Sequence, residues 1–220
     1  LPTVADPDLV WFDETARNEI RQRFQLGEYF VLTYTGNVIS HWQRRKAMCR
    51  FVADLHQKEP RIRFLAVVRK DDIALMTETL EKYAIESITT LITVEHREVY
   101  KFLSAADLAL FLRHDHTMNK VVTSGKLGEY LSAGLPVLTT GNNANVLNQF
   151  IHNIQAGYFI DDSLWVMDEL VEYIQCLISE KNNLETRKNI CYQTQQKFGE
   201  EVNPFNEYAK FIKSLLEINL

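Results

Sequence analysis

Tyr29–Thr35 reads YFVLTYT, apolar or β-branched at nearly every position, and runs directly into Gly36-Asn37. Such a stretch predicts a buried strand that ends in a turn. Beyond it, Ser40 stands three residues before Gln43, the spacing of a capping box that opens a helix. Met48, Phe51, Val52 and Leu55 then recur at helical spacing until Pro60 closes the run. The unit repeats along the chain. Arg63–Val68, Ser87–Val94, Asp107–Leu112, Pro136–Thr140 and Tyr158–Ile160 are predicted strands. Between them lie a helix lined by Ile73, Met76, Leu80 and Tyr83, a short one lined by Val99, Phe102, Leu103 and Ala106, and one that begins near Ser124. That last helix stops at Ala133-Gly134, where glycine supplies a left-handed cap and Pro136 prevents continuation. From about Leu164 onward the chain reads as helical, ending in an amphipathic stretch from Phe205 to Leu216. Strands that are apolar throughout, alternating with helices, indicate the α/β class. The economical topology is a single Rossmann-like, doubly wound parallel sheet of about six strands, with helices on both faces and a C-terminal helical extension.

In such sheets ligands bind beyond the carboxyl ends of the strands, where the strand order reverses. The places to look are therefore Gly36-Asn37, Arg69-Lys70, Glu95-His96 and the loop Arg113–Ser124. Composition agrees with a folded domain: 220 residues with 46% apolar and 24% charged side chains exclude a disordered or fibrous chain. No apolar run reaches the roughly 18 residues of a membrane span. Cys49, Cys176 and Cys191 are odd in number and scattered, which suits a reducing, cytoplasmic setting. The chain opens Leu1-Pro2-Thr3 without Met, as a fragment would. Residues 1–70 hold 12 Lys/Arg and 8 Asp/Glu, whereas residues 71–220 hold 12 and 21. The acidic total of −5 argues against bulk nucleic-acid binding. The basic first third suits either a small anion or a solvated surface.

Two groups of residues stand out within that frame. Gly36 either lets backbone N–H groups approach a phosphate or makes an ordinary strand-to-helix turn. Arg44, Arg45 and Lys46 oppose the helix dipole unless an anion sits there or they bend into solvent. In Ser124-Gly125-Lys126-Leu127-Gly128-Glu129-Tyr130, Ser124 or Thr123 can cap the helix and the glycines allow close approach. Lys126 and Glu129, three apart, share a helix face, either as an ion pair or as a phosphate-binding ammonium beside a diol-binding carboxylate. The three-glycine dinucleotide fingerprint and the phosphate-loop pattern are both missing, which counts against a dehydrogenase. His114-Asp115-His116 lacks a third ligand at matching spacing, so no metal is expected. No catalytic triad or carboxylate pair is visible.

Asn119–Thr140, NKVVTSGKLGEYLSAGLPVLTT, resembles the donor-binding motif of family 4 glycosyltransferases of the GT-B fold. YTGNVISHWQ resembles the strand and glycine loop that open that family's C-terminal domain, and Glu98–Asp107 the helix leading into its fourth strand. The resemblance implies that Glu129 binds the ribose hydroxyls of a nucleotide sugar and that Lys126, with Ser124 and Gly125 before it, faces the donor. It places the backbone of Gly36 and Asn37 beside the diphosphate, with Arg69 and either Arg44 or Arg45 in contact with it. Val94 and Glu95 fall where the family's backbone pairs with the base. The family's first motif Glu would be residue 121, which is Val121 here, leaving Asn119, Lys120 or Arg113 to take over its contacts. The implied division is 1–28 as an interdomain segment, 29–200 as the donor-binding domain, and 201–220 as a helix crossing to an N-terminal acceptor domain.

The implied function is the donor half of a retaining, metal-independent glycosyltransferase of bacterial polysaccharide or glycoconjugate synthesis. Its donor would be a UDP- or GDP-sugar, with no cofactor beyond that substrate. The acceptor and the catalytic side chains would sit on the absent N-terminal domain, so this piece alone is expected to be inactive. The expected location is the cytoplasm, with peripheral association of the whole protein at the inner membrane face. The alternative is a degenerate, non-catalytic nucleotide-binding module in an assembly, for which Val121 speaks.

Overall fold

A computed structural model of the chain describes residues 10–40, 43–113, 125–140, 146–160, 168–179 and 184–198. The helix expected over 201–220 lies outside them, as do His114-Asp115-His116 and Val121. The elements, in chain order, are α1 (Glu14–Arg23), β1 (Phe30–Gly36), α2 (Arg45–Lys58), β2 (Ile62–Val68), α3 (Ile73–Lys82), β3 (Thr89–Ile92), α4 (Val99–Ala105) and β4 (Leu108–Phe111). They continue with α5 (Gly125–Ser132), β5 (Val137–Thr140), α6 (Val146–Asn153), β6 (Gly157–Ile160), α7 (Asp168–Ser179) and α8 (Leu184–Phe198). The six strands form one sheet in the order β3-β2-β1-β4-β5-β6, and every neighbouring pair is parallel. This is the doubly wound Rossmann-like topology, and the order reverses between β1 and β4.

Alternation along the strands splits the core in two. Val31, Leu65, Val67, Ala109 and Val137 face α1, α4, α5 and α8. Leu32, Phe64, Ala66, Leu108 and Leu138 face α2, α3 and α7. Both sets are buried, which is why the strands read as continuous apolar runs rather than alternating ones. Gly134 has φ +68, the left-handed cap expected at the end of α5. A Cβ there would lie 2.5 Å from the Arg187 carbonyl oxygen, so α8 also packs against this glycine.

The sequence reading has no helix between β5 and β6, where α6 stands, and two further local readings change. The Ser40–Gln43 capping box does not open α2: Gln43 N–H donates to the Ser40 carbonyl, and α2 begins only at Arg45. Arg44, its N-cap, is left-handed with φ 53 and makes no side-chain cap, which breaks the helical path. The segment before β1 also contains α1, which periodicity missed because its buried face is largely cationic. Asp13 caps that helix by accepting the Ala16 N–H at 2.9 Å, and Arg17 and Arg21 are buried alongside Ala16 and Ile20.

Those arginines converge on Asp107, just before β4. Arg17 Nη2 donates to Asp107 Oδ1 at 2.6 Å and Arg21 Nη1 to Oδ2 at 3.1 Å. Val31 N–H also donates to Oδ2, at 2.8 Å. Burial alone would raise the Asp107 carboxyl, but Arg17, Arg21 and the Val31 amide outweigh it and hold it below its ordinary value. Arg187 of α8 reaches the same place. Its guanidinium donates to the carbonyls of Leu103, Ser104, Ala106 and Ala133, at the buried C-terminal ends of α4 and α5. Burial pushes it down to about 9. A polar clasp therefore ties α1, α4, α5 and α8 to the start of β4.

Candidate functional site

The carboxyl end of β1 is built tightly. Gly36 has φ +107, a conformation that side chains rarely adopt, so the chain can turn there only as glycine. Asp72, beyond β2, accepts the Val38 N–H at 2.8 Å and fixes the path of the loop. Thr35 N–H donates to the hydroxyl of Tyr130 at 3.0 Å, which ties α5 to the same strand end. Tyr34 donates its hydroxyl proton to the Asn37 carbonyl.

Above these strand ends opens a cleft of about 560 Å³. Of the residues picked out from sequence, Gly36, Asn37, Arg69, Val94, Gly125, Lys126 and Glu129 all line it. Residues scattered from 36 to 129 thus meet in one concavity at the reversal point, as strand topology requires. Seven further residues line it, Thr35, Gln43, Val67, Val68, His96, Val99 and Arg113, and of these only Arg113 is a candidate from the resemblance, as a stand-in for the missing motif Glu. The strand-end rule had marked His96 and Arg113 as positions to inspect. Thr35 sat inside a predicted strand and carried no signal of its own.

Three candidates fall elsewhere, and Asn119, Lys120 and Ser124 lie outside the described residues. Arg45 turns away from the cleft, its Nε donating to Thr79 Oγ1 at 2.8 Å and its Nη1 to the Val38 carbonyl at 3.2 Å. Arg44 does not line the cleft but reaches its rim, where Nη1 donates to the Arg113 carbonyl at 3.3 Å. Glu95 is exposed and pairs with Arg97 at 2.8 Å. It borders a neighbouring hollow of about 420 Å³ floored by Phe24, Ile92, Val94 and Phe102. Only Val94 is shared between the two cavities.

Lys126 and Glu129 share a helix yet go separate ways. Glu129 Oε1 meets His96 Nε2 at 3.1 Å. Lys126 Nζ donates to the Tyr34 hydroxyl at 2.9 Å, across the strand end. Its ammonium lies so close over Gly36 that a Cβ on that residue would sit 2.8 Å from Nζ. Burial and the nearby Arg113 and Arg69 guanidinium groups push Lys126 down to about 7, against the opposing pull of Glu129 and Asp72. The cleft therefore gathers three cationic side chains and one carboxylate at the mouth of a parallel sheet. Cations and backbone N–H groups at such a place hold an anion, and the carboxylate can accept from paired hydroxyls. Among the described residues no three His, Cys, Asp or Glu side chains are grouped as a metal site needs.

No protein-family model matches the sequence, and neither does any curated protein sequence. Solved structures do. The likeness is one of fold. WaaG, a glycosyltransferase involved in lipopolysaccharide biosynthesis, superimposes with a TM-score of 0.64 at 19% identity, over 96% of this chain and 55% of that one. Anabaena Alr3699/HepE, solved in complex with UDP, gives 0.66 at 14% identity, over 96% and 56%. The C-terminal domain of the group 1 family glycosyl transferase LpcC from Francisella tularensis gives 0.60 at 14% identity, over 87% of this chain and 95% of that domain. The chain thus spans about half the length of the first two and nearly the whole of the third. It has the fold of a glycosyltransferase C-terminal domain. No described helix is long and apolar enough to cross a membrane.

Proposed function

We propose that the cleft binds the nucleoside diphosphate of a nucleotide sugar, and that the domain is the donor half of a GT-B glycosyltransferase. The observation that carries this reading is the meeting of Arg69, Arg113 and Lys126 with the Gly36 turn and the Glu129 carboxylate in one cleft. The UDP-bound neighbour supports it at the level of ligand class. Glu129 would accept hydrogen bonds from the ribose hydroxyls, and the three cations would face the diphosphate. In the whole protein the bond between the sugar's anomeric carbon and the diphosphate oxygen breaks, and an acceptor oxygen takes its place. The acceptor and its catalytic side chains would come from an N-terminal domain, and transfer would proceed with retention, without metal or further cofactor. The cations supply what such a reaction needs, fixed positive charge where negative charge develops on the leaving group.

Calorimetric titration of UDP, GDP and ADP into the domain tests the reading. At least one should bind, and E129A should weaken it. Loss of a charged hydrogen-bond partner costs about 1.5–3 kcal/mol, a roughly 10- to 150-fold rise in Kd. If none binds, or if E129A binds as the parent does while melting at the same temperature, the reading fails.

A further inference from the structure

We propose that Arg113 takes the phosphate farther from the ribose and so makes the cleft select diphosphates over monophosphates. This rests on the reading of the cleft as a nucleotide site, and names the feature of the ligand that this one residue recognises.

The first argument is sheet register. Gly36 pairs with Val68 across β1–β2, and Thr33 pairs with Ala109 across β1–β4. Carried on three residues, the second pairing sets Leu112 level with Gly36. Arg69 and Arg113 therefore stand one residue beyond that level, on either flank of Asn37. With strands about 4.8 Å apart, their backbones are separated by roughly 10 Å across the end of β1. His96 follows β3, the next strand out beyond β2, and it meets Glu129 at 3.1 Å. The strand ends thus form a track from the carboxylate through Arg69 and Gly36 to Arg113. A ligand whose ribose sits at Glu129 and whose phosphates extend along that track reaches Arg113 last.

The second argument is that Arg113 is held in place. Its N–H donates to Thr140 Oγ1 at 2.6 Å, and the same hydroxyl donates back to its carbonyl at 2.6 Å. Thr140 is buried at the end of β5, and Arg44 Nη1 reaches the Arg113 carbonyl as well. The guanidinium lies 4.7 Å from the centre of the Phe111 ring. A cation fixed in this way loses little freedom when an anion arrives. The third argument is electrostatic. Arg113 disfavours the charged form of Lys126, and a phosphate between the two turns that repulsion into two attractions.

The test compares a diphosphate with its monophosphate by calorimetry at one salt concentration, UDP against UMP and GDP against GMP. The parent domain should hold the diphosphate at least ten times more tightly. R113A should bring that ratio close to one while leaving the monophosphate within about twofold, and R113K should retain part of it. T140V, which keeps the guanidinium but removes its backbone anchor, should fall between. E129A should weaken both nucleotides and leave the ratio alone. An unchanged ratio in R113A overturns the proposal, and so does an equal loss for both nucleotides, which would mark a general structural role. If the parent binds neither nucleotide, the underlying reading of the cleft falls and takes this one with it. If E129A behaves as expected while R113A keeps the ratio, only Arg113 is misassigned.

Discussion

Lys126 Nζ donates to the Tyr34 hydroxyl at 2.9 Å while lying 4.2 Å from the centre of the same ring. One tyrosine therefore offers the ammonium both a lone pair and a π face. The Tyr34 hydroxyl cannot turn away, because its own proton goes to the Asn37 carbonyl. This arrangement stores the lysine directly over Gly36, at the place where a phosphate would approach β1.

Binding at this cleft should be coupled to proton uptake. With Lys126 near 7, the empty site is a mixture of protonated and neutral forms at neutral pH. A phosphate favours the ammonium, so the lysine's contribution to affinity is complete below about pH 6 and declines as pH rises through 7 and above. Titrating UDP at pH 7.5 in buffers of different ionisation heat should show protons taken up from the buffer. K126R, whose charge does not titrate in this range, should remove the effect. A binding heat independent of the buffer would refute the coupling.

Position 36 should accept nothing but glycine. G36A forces a Cβ into φ +107 and against the Lys126 ammonium. The backbone strain costs about 1–3 kcal/mol, a fall in Tm of roughly 2–12 °C for a domain of this size. Nucleotide affinity should drop as well, because Lys126 must leave its seat on Tyr34. Thermal melts and UDP titrations of G36A check both. A variant that melts and binds like the parent would show that the turn is not constrained as described.

The Asp107 clasp should dominate stability away from the cleft. D107A leaves Arg17 and Arg21 buried without their carboxylate, a loss of about 3–5 kcal/mol. D107N keeps the shape but removes the charge, and it also removes a pH dependence. The native carboxyl titrates below its unfolded value of about 3.9. Its contribution is therefore complete above that value and fades as pH falls through the folded one. Urea unfolding from pH 7 down to pH 3 should show the parent losing more stability than D107N over the acid end. Parallel curves would contradict the assignment.

Much of the frame was legible residue by residue. YFVLTYT, RFLAVV and PVLTT are apolar on both faces because both faces are covered, so strand type and parallel order followed together. Gly134 marked the end of α5 because a left-handed cap is a local requirement. The strand-end rule led to the cleft, and most of the chosen residues line it. α1 was not legible, since its inner face carries Arg17 and Arg21, whose burial makes sense only beside Asp107. The place of Arg45 is hidden for a similar reason. A cation in the first turn of a helix looks available for an anion until Thr79 and the Val38 carbonyl are seen to hold it.

The sequence by itself determined the strands, most of the helices and the glycine stop after α5, and hence that a site would open beyond the strand ends. Periodicity and backbone conformation are properties of near neighbours, and they can be read in one dimension. Only the tertiary structure decided which charges meet. Arg17 finds Asp107 across 90 residues, Lys126 finds Tyr34 across 92, and His96 finds Glu129 across 33. No local rule encodes those separations. They follow from the parallel pairing of β1 with β4 at the centre of the sheet, which brings together segments far apart in the chain, and the buried ones must then hydrogen-bond one another once water is gone.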